Sequence, residues 1–140
     1  MQEQEIIAWL MEGDPAVRWQ VQRDLLGKPA SVYQVERAKV AHHGLGANLL
    51  EFQDPGGTWG GGLYSPKWIS TTYTLLTLRR IGLEPKHPRA LRGCGLLLHH
   101  GFMPDGGINF AASYNHAETC ITGMVLSLLA HFRYPDARIP

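Results

Sequence analysis

The chain has 140 residues, a formal net charge of +1, and 44% hydrophobic and 18% charged residues. This composition is typical of a globular domain, and the near-zero charge gives no broad attraction to nucleic acid or to an acidic membrane. Every apolar run is shorter than the ~18 residues that suggest a membrane-spanning helix. The two cysteines, Cys94 and Cys120, and a polar start without signal-peptide features favour a cytoplasmic protein with reduced thiols.

The N-terminal residues predict two helices in a hairpin. Glycine at position 13 ends the first helix, and Asp14 followed by Pro15 is the pattern of an N-cap and a first helical position. The second helix is predicted to end at about Leu26, before a glycine.

A long third helix is predicted from an N-cap at Ser31 to the first glycine-rich turn. Its apolar residues follow spacings of three and four, which predicts one buried and one wet face. The stripe consists of Val32, Val35, Ala38, His42, Leu45, Leu49 and Phe52. Within it, His42 is interpreted as a hydrogen-bonded core histidine.

Three further helices complete the predicted order. The fourth spans roughly Trp68 to Ile81 and draws most of its polar content from threonine, and the fifth starts near Pro88. The sixth, Glu118 to Phe132, carries no charge over 120–130. The fourth and sixth helices are therefore predicted to be covered on nearly all sides.

Two glycine-rich turns separate these helices and resemble each other. The first is Gln53–Gly62 and the second is Pro104–Phe110, and aligning their Gly-Gly pairs places them 50 residues apart, with Asn109 at the position of Trp59. Each turn follows a one-sided helix and precedes a buried one. This order predicts repeated outer–inner helix pairs in two layers.

The segment from Leu49 to Gly60 resembles the QW repeat of squalene and hopene cyclases, in which a Gly-rich turn joins a Gln on an outer helix to a Trp before an inner helix. From Asp14 onward, the chain is similar to bacterial prenyltransferase and squalene-oxidase repeat proteins. The strings that carry this similarity are Asp14–Gln20, Tyr64–Trp68 and Glu118–Met124. The resemblance implies an all-α fold, a partial α/α toroid around a cavity, and an isoprenoid or other lipid-like ligand.

The predicted organisation is a single domain with a hairpin over 1–30, a first outer–inner pair over 31–82 and a second over 86–133. A third outer helix would begin where the chain ends. The resemblance thus implies a fragment, a natural half-toroid, or a ring completed by another chain. Apolar flanks left open on the fourth and sixth helices predict self-association.

The catalytic motifs of the related enzymes are missing. The sequence contains neither the DxDD motif of hopene-type cyclases nor the DDxxD motif that binds magnesium diphosphate. Thr119-Cys120 matches the pair that follows the zinc histidine of protein prenyltransferases, but Glu118 occupies the histidine position. Whether the chain is an enzyme stays open, and no cofactor is favoured. The residues His116, Glu118 and Cys120 have two interpretations. They could form a rearranged metal site. Alternatively, Glu118 stabilises the first turn of the helix and Cys120 packs as a small apolar residue.

Candidate ligand-binding residues surround the two turns: Tyr64, Lys67, Trp68, Tyr73, Asn109, Asn115 and His116. The aromatic rings are suited to stacking on an isoprenoid, while Lys67 and the inner-helix N-termini predict a diphosphate site. Glu118 is the candidate catalytic residue, a general acid if burial raises its pKa.

Five turn residues are predicted to be structural: Gln53, Gly57, Trp59, Asp105 and Gly107. Gln53 is expected to form a hydrogen bond at the next inner helix. The second function hypothesis is a non-catalytic helical-repeat module that binds a protein or completes an oligomer.

Overall fold

The computed structural model describes residues 2–139, which form helices and no strands, so the predicted all-α class is confirmed. The helices are α1 (Glu3–Met11), α2 (Pro15–Gln20), α3 (Ala30–Ala38), α4 (Gly44–Glu51), α5 (Thr71–Ile81), α6 (Pro88–Gly101) and α7 (Thr119–Phe132). Among the described residues, no helix is long and apolar enough to cross a membrane.

Contacts divide the chain into two compact units. The first contains Met1–Glu51 and Arg80–Glu84, and the second contains Phe52–Arg79 and Pro85–Pro140. One boundary therefore falls between α4 and the first glycine-rich turn, inside the predicted segment 31–82.

The predicted N-cap at Asp14 is confirmed, and this carboxylate also caps a second helix. Its Oδ1 accepts the Ala16 N–H of α2 at 2.8 Å, while its Oδ2 accepts the Leu45 N–H of α4 at 2.7 Å. Gly44 permits this approach, because a Cβ there would overlap the Asp14 carboxylate. One side chain thus joins the starts of α2 and α4.

The single long third helix is a wrong prediction. The structure has α3, a 3₁₀ turn over Lys39–Ala41 and then α4, and the cap of α3 is Pro29 instead of Ser31. The break comes just before Gly44, whose φ of +68° is left-handed and incompatible with a continuing α-helix.

The predicted buried stripe is also wrong, because it lies largely on the exposed face. Val35 is 64% exposed, Phe52 is 74% exposed and His42 is exposed as well, so His42 is not a core histidine. Glu36 and Val40 are buried instead.

Ion pairing explains why a glutamate takes the buried position on α3. The Glu36 carboxylate accepts hydrogen bonds from Arg18 Nε at 2.6 Å and Lys39 Nζ at 2.7 Å. Burial opposes ionisation of this carboxyl, but the bonds from Lys39 and Arg18 outweigh it and hold the pKa of Glu36 below its ordinary value of 4.5.

Side chains of α2 and α3 hold the C-terminal end of α5 within the first unit. The buried Trp19 donates its indole N–H to the Ile81 carbonyl at 2.8 Å, and Arg37 Nε donates to the Gly82 carbonyl at 2.8 Å. The Arg23 guanidinium lies 4.5 Å from the centre of the Trp19 ring. Carbonyls left open by the end of a helix are satisfied in this way.

In the second unit, the two glycine-rich turns have the same backbone hydrogen bonds. The Gly57 N–H donates to the Asp54 carbonyl, and the Gly106 N–H donates to the Met103 carbonyl. Both glycines are left-handed, with φ of +98° and +90°. The turns therefore correspond with Gly106 against Gly57, an offset of 49 residues, and the offset of 50 is wrong.

This register places Ile108, and not Asn109, at the position of Trp59. The Trp59 N–H donates to Thr71 Oγ1 at 3.1 Å, and the Ile108 N–H donates to Thr122 Oγ1 at 2.8 Å. Trp59 and Ile108 are both buried. A threonine on the following helix therefore fixes each turn by the same hydrogen bond.

The two helices after the turns differ in burial. The inward residues of α5 include Thr72 and Leu75, both fully buried, whereas Leu126 of α7 is 39% exposed. All-round burial of the sixth predicted helix is therefore wrong. The fourth predicted helix corresponds to α5, which begins at Thr71 and not at Trp68. Trp68 cannot be part of the helix because its φ of +73° is left-handed.

Replacing Thr71 with valine tests the bond between the first turn and α5. The change keeps the shape of the side chain but removes the acceptor for the Trp59 N–H, so we expect a loss of about 1–3 kcal/mol in the free energy of unfolding. Urea unfolding followed by circular dichroism measures it. Thr77→Val is the matched control, since Thr77 is exposed on the same helix, and its change should stay within about 0.5 kcal/mol. Equal effects of the two substitutions would contradict the assignment.

Candidate functional site

An open groove of about 760 Å³ lies in the second unit, between the ends of the two turns and helices α6 and α7. Its apolar walls are Leu63, Met103, Phe110, Ala111, Ala112 and Ile121, and its polar residues are Tyr64, Ser65, His100, Asn109 and Tyr114. The groove is therefore a mainly apolar surface with scattered hydrogen-bonding groups, as in ligand pockets generally.

Four aromatic rings form a continuous row beside this groove. The ring centres of Trp68 and Tyr73 are 5.2 Å apart, those of Tyr73 and Tyr64 are 5.5 Å apart, and those of Tyr64 and Phe110 are 5.9 Å apart. We call these four residues the aromatic row. Three of them, Trp68, Tyr73 and Tyr64, are predicted site residues that the fold brings together. Phe110 was not predicted.

The two tyrosines of the row interact through their side chains. A hydrogen bond with Tyr73 and partial burial raise the pKa of Tyr64 to about 12, with smaller contributions from the charges of Tyr73, Cys120 and Glu118. The thiol of Cys120 donates to Glu118 Oε2 at 3.6 Å.

Glu118 is the N-cap residue of α7, but its side chain makes no capping hydrogen bond. Its backbone N–H donates to the Ile108 carbonyl at 3.0 Å. The side chain is exposed, so the burial on which a general-acid role depends is absent. The geometry gives Glu118 an open carboxylate at the start of α7.

The predicted site residues in the second turn and in the segment between it and α7 have different environments. Asn109 is buried, donates to the His116 carbonyl at 2.8 Å and accepts the Ala111 N–H at 2.9 Å. Its amide therefore holds the loop, although the residue also lines the groove. Asn115 and His116 are exposed, and the His116 ring lies against Tyr114 at 5.4 Å.

The alternative metal site is not assembled. Over residues 2–139, no three His, Cys, Asp or Glu side chains come together as a set that could hold a metal ion. Of His116, Glu118 and Cys120, the contact seen is the one between the thiol and the carboxylate.

The starts of α5 and α7 do not favour the expected diphosphate. The N–H groups of Thr71 and Thr72 already donate to the carbonyls of Gly62 and Leu63, at 3.0 and 2.9 Å. Before α7, the Ala117 N–H donates to Asp105 Oδ2 at 2.8 Å, and this bond lowers the pKa of Asp105.

Charge at these helix starts also disfavours an anion. Asp105 and Glu118 place two carboxylates at the start of α7, while Lys67, the predicted cation, has an exposed side chain. Two negative charges near an anion oppose its binding.

The predicted structural residues hold the first turn against α6. Gln53 Nε2 donates to the Gly57 and Arg89 carbonyls, both at 2.9 Å, so it contacts α6 and not the next inner helix as expected. Trp59 is 2% exposed, and a Cβ on Gly93 of α6 would lie only 3.0 Å from its ring. In the second turn, Gly107 leaves room for Thr122 and Ala117, which a Cβ there would overlap.

Thr122 was not predicted as a partner of the second turn. The available signal was a threonine near the start of the helix after each turn, 12 residues after Trp59 and 14 after Ile108. Because these two spacings differ, no single alignment of the turns places Thr122 against Thr71.

Comparison with known proteins gives no match to a protein-family model, a curated protein or a solved structure. The function of the groove is therefore argued from its own geometry and chemistry.

The two thiols should differ sharply in reactivity. Burial raises the pKa of the Cys94 thiol to about 12, whereas Cys120 is exposed. Because the thiolate is the reactive form, we expect a disulfide reagent such as DTNB at about pH 8 to modify one thiol in the native protein and both in denaturant. Cys120→Ser should remove the native reaction. Rapid native modification of both thiols would contradict the burial of Cys94.

Proposed function

We propose that the chain is a partial α/α toroid of the terpenoid-cyclase and prenyltransferase-like repeat type, and that its groove binds an isoprenoid or other apolar, lipid-like ligand. The observation that carries this proposal is the aromatic row beside the mainly apolar groove. Aromatic rings in a row offer an extended apolar surface that a hydrocarbon chain can cover.

The size of the groove agrees with this proposal. Its volume of about 760 Å³ falls within the range of roughly 300–1,000 Å³ found for small-molecule sites. Each methylene group that leaves water on such a surface contributes about 0.8 kcal/mol. Glu118 is exposed and lacks the burial that a general acid needs, so the proposal concerns binding and assigns no catalytic step.

Farnesol and farnesyl diphosphate test this proposal by thermal shift. A ligand at about one hundred times its Kd should stabilise the fold by about 2.7 kcal/mol. Met103→Glu places a charge on the half-buried groove wall and should weaken binding at least about tenfold, since an unpaired charge is costly on an apolar surface. Val35→Glu, an exposed position in the other unit, is the control. No shift with either compound on a folded protein would contradict the proposal.

A second candidate function, assembly with another copy of this chain, is favoured by a comparison of α5 with α7. The matching bonds of Thr71 and Thr122 make Leu75 equivalent to Leu126. Leu75 is fully buried, and Gly93 of α6 approaches it so closely that a Cβ there would lie 3.1 Å away. Leu126 is exposed. We therefore propose that a helix of a second copy covers α7 as α6 covers α5.

Leu126→Glu tests this assembly by sedimentation velocity over a concentration series. The wild-type chain should self-associate, and the variant should associate at least about tenfold more weakly because the interface would bury a charge. Val35→Glu again serves as the control for an added surface charge. A wild-type chain that stays monomeric at the highest concentration would exclude the assembly.

A further inference from the structure

We propose that the ligand of the groove has a positively charged head group, an organic ammonium ion, which lies against the aromatic row beside Glu118. This inference rests on the proposed apolar groove and adds the charge of the ligand's polar end. It replaces the expected diphosphate with the opposite charge.

The accessible end of the aromatic row suits a cation. Trp68 is 75% exposed and its ring centre is 5.2 Å from that of Tyr73. The face of an aromatic ring is electron-rich and attracts ammonium groups, and tryptophan attracts them most strongly. A ligand chain in the groove and a head group on this ring would contact one continuous surface.

Glu118 adds a carboxylate at the end of the groove formed by the second turn. Its backbone N–H donates to the Ile108 carbonyl at 3.0 Å, two residues before Phe110 of the aromatic row. The side chain is exposed and makes no capping hydrogen bond with α7, and its contact is with the Cys120 thiol at 3.6 Å. The carboxylate is thus held beside the segment that carries Phe110 and is open to an oppositely charged group.

The groove lacks what an anionic head group needs. Its described lining contains no lysine or arginine. Asp105 adds a second carboxylate before α7, and the first two N–H groups of α5 donate to loop carbonyls. Lys67 precedes Trp68, but its exposed side chain can extend into water. The electrostatic balance therefore favours a cation.

Three probes with the same hydrocarbon chain separate the head group from the chain: octyltrimethylammonium, 1-octanol and octyl phosphate. Each is titrated into the full chain by calorimetry below its micelle-forming concentration. We expect the ammonium compound to bind about tenfold more tightly than octanol, from ring and carboxylate together, and octyl phosphate to bind most weakly. The protein's net charge of +1 gives no general attraction for cations.

Two variants test which side chains cause the preference for the ammonium compound. Glu118→Gln should weaken ammonium binding by about fivefold and leave octanol binding unchanged. Trp68→Leu keeps an apolar side chain and should weaken ammonium binding about threefold more than octanol binding. Glu51→Gln removes an exposed carboxylate of the other unit and should change neither. Circular dichroism checks that each variant is folded.

The outcomes separate this inference from the proposed function. If none of the three probes binds, the apolar groove itself is wrong. If octanol or octyl phosphate binds as tightly as the ammonium compound, or if Glu118→Gln leaves the ammonium preference intact, the groove stands and the cationic head group is overturned.

Discussion

A threonine hydroxyl that accepts a backbone N–H holds each glycine-rich turn to the helix after it. Thr71 performs this role for Trp59, and Thr122 performs it for Ile108. A buried N–H without an acceptor costs about 1–3 kcal/mol of folding free energy. The bond therefore fixes the position of each turn against the helix that follows it. The groove depends on this constraint, because Tyr64 follows the first turn and Phe110 ends the second.

The two turns have similar backbones but different side chains. Glycines of α6 make room for the side chains of both turns. Gly93 faces Trp59, and Gly101, about two helical turns further along, faces Ile108 and Phe110. A Cβ at either glycine would crowd these side chains, which must shift to make room. The first turn buries a large indole and is closed by its own bonds. The second leaves Phe110 at the groove, where it stacks on Tyr64 at 5.9 Å.

Local signals in the sequence predicted where helices start better than which side of a helix is buried. Asp14 before a proline identified a helix start, because capping is a local interaction. The apolar stripe of the third helix failed because periodicity treats every charged residue as exposed, whereas Glu36 is buried and forms ion pairs with Arg18 and Lys39. Around the site, the aromatic residues near the first turn were predicted and do come together. Phe110 was missed because it joins the site by stacking on Tyr64, a tertiary contact that no local pattern in the sequence indicates.

The residue type at position 118 matters for the charge beside the groove. A histidine there would present a neutral ring able to bind a metal, whereas the glutamate presents a carboxylate. In this fold the carboxylate is exposed at the start of α7, and its charge is the smallest of the causes that raise the pKa of Tyr64. A negative charge beside electron-rich rings opposes a diphosphate and favours a cation, because both groups contribute the same sign of potential. In the proposed complex, Glu118, Asp105 and the aromatic rings therefore all favour a cationic head group.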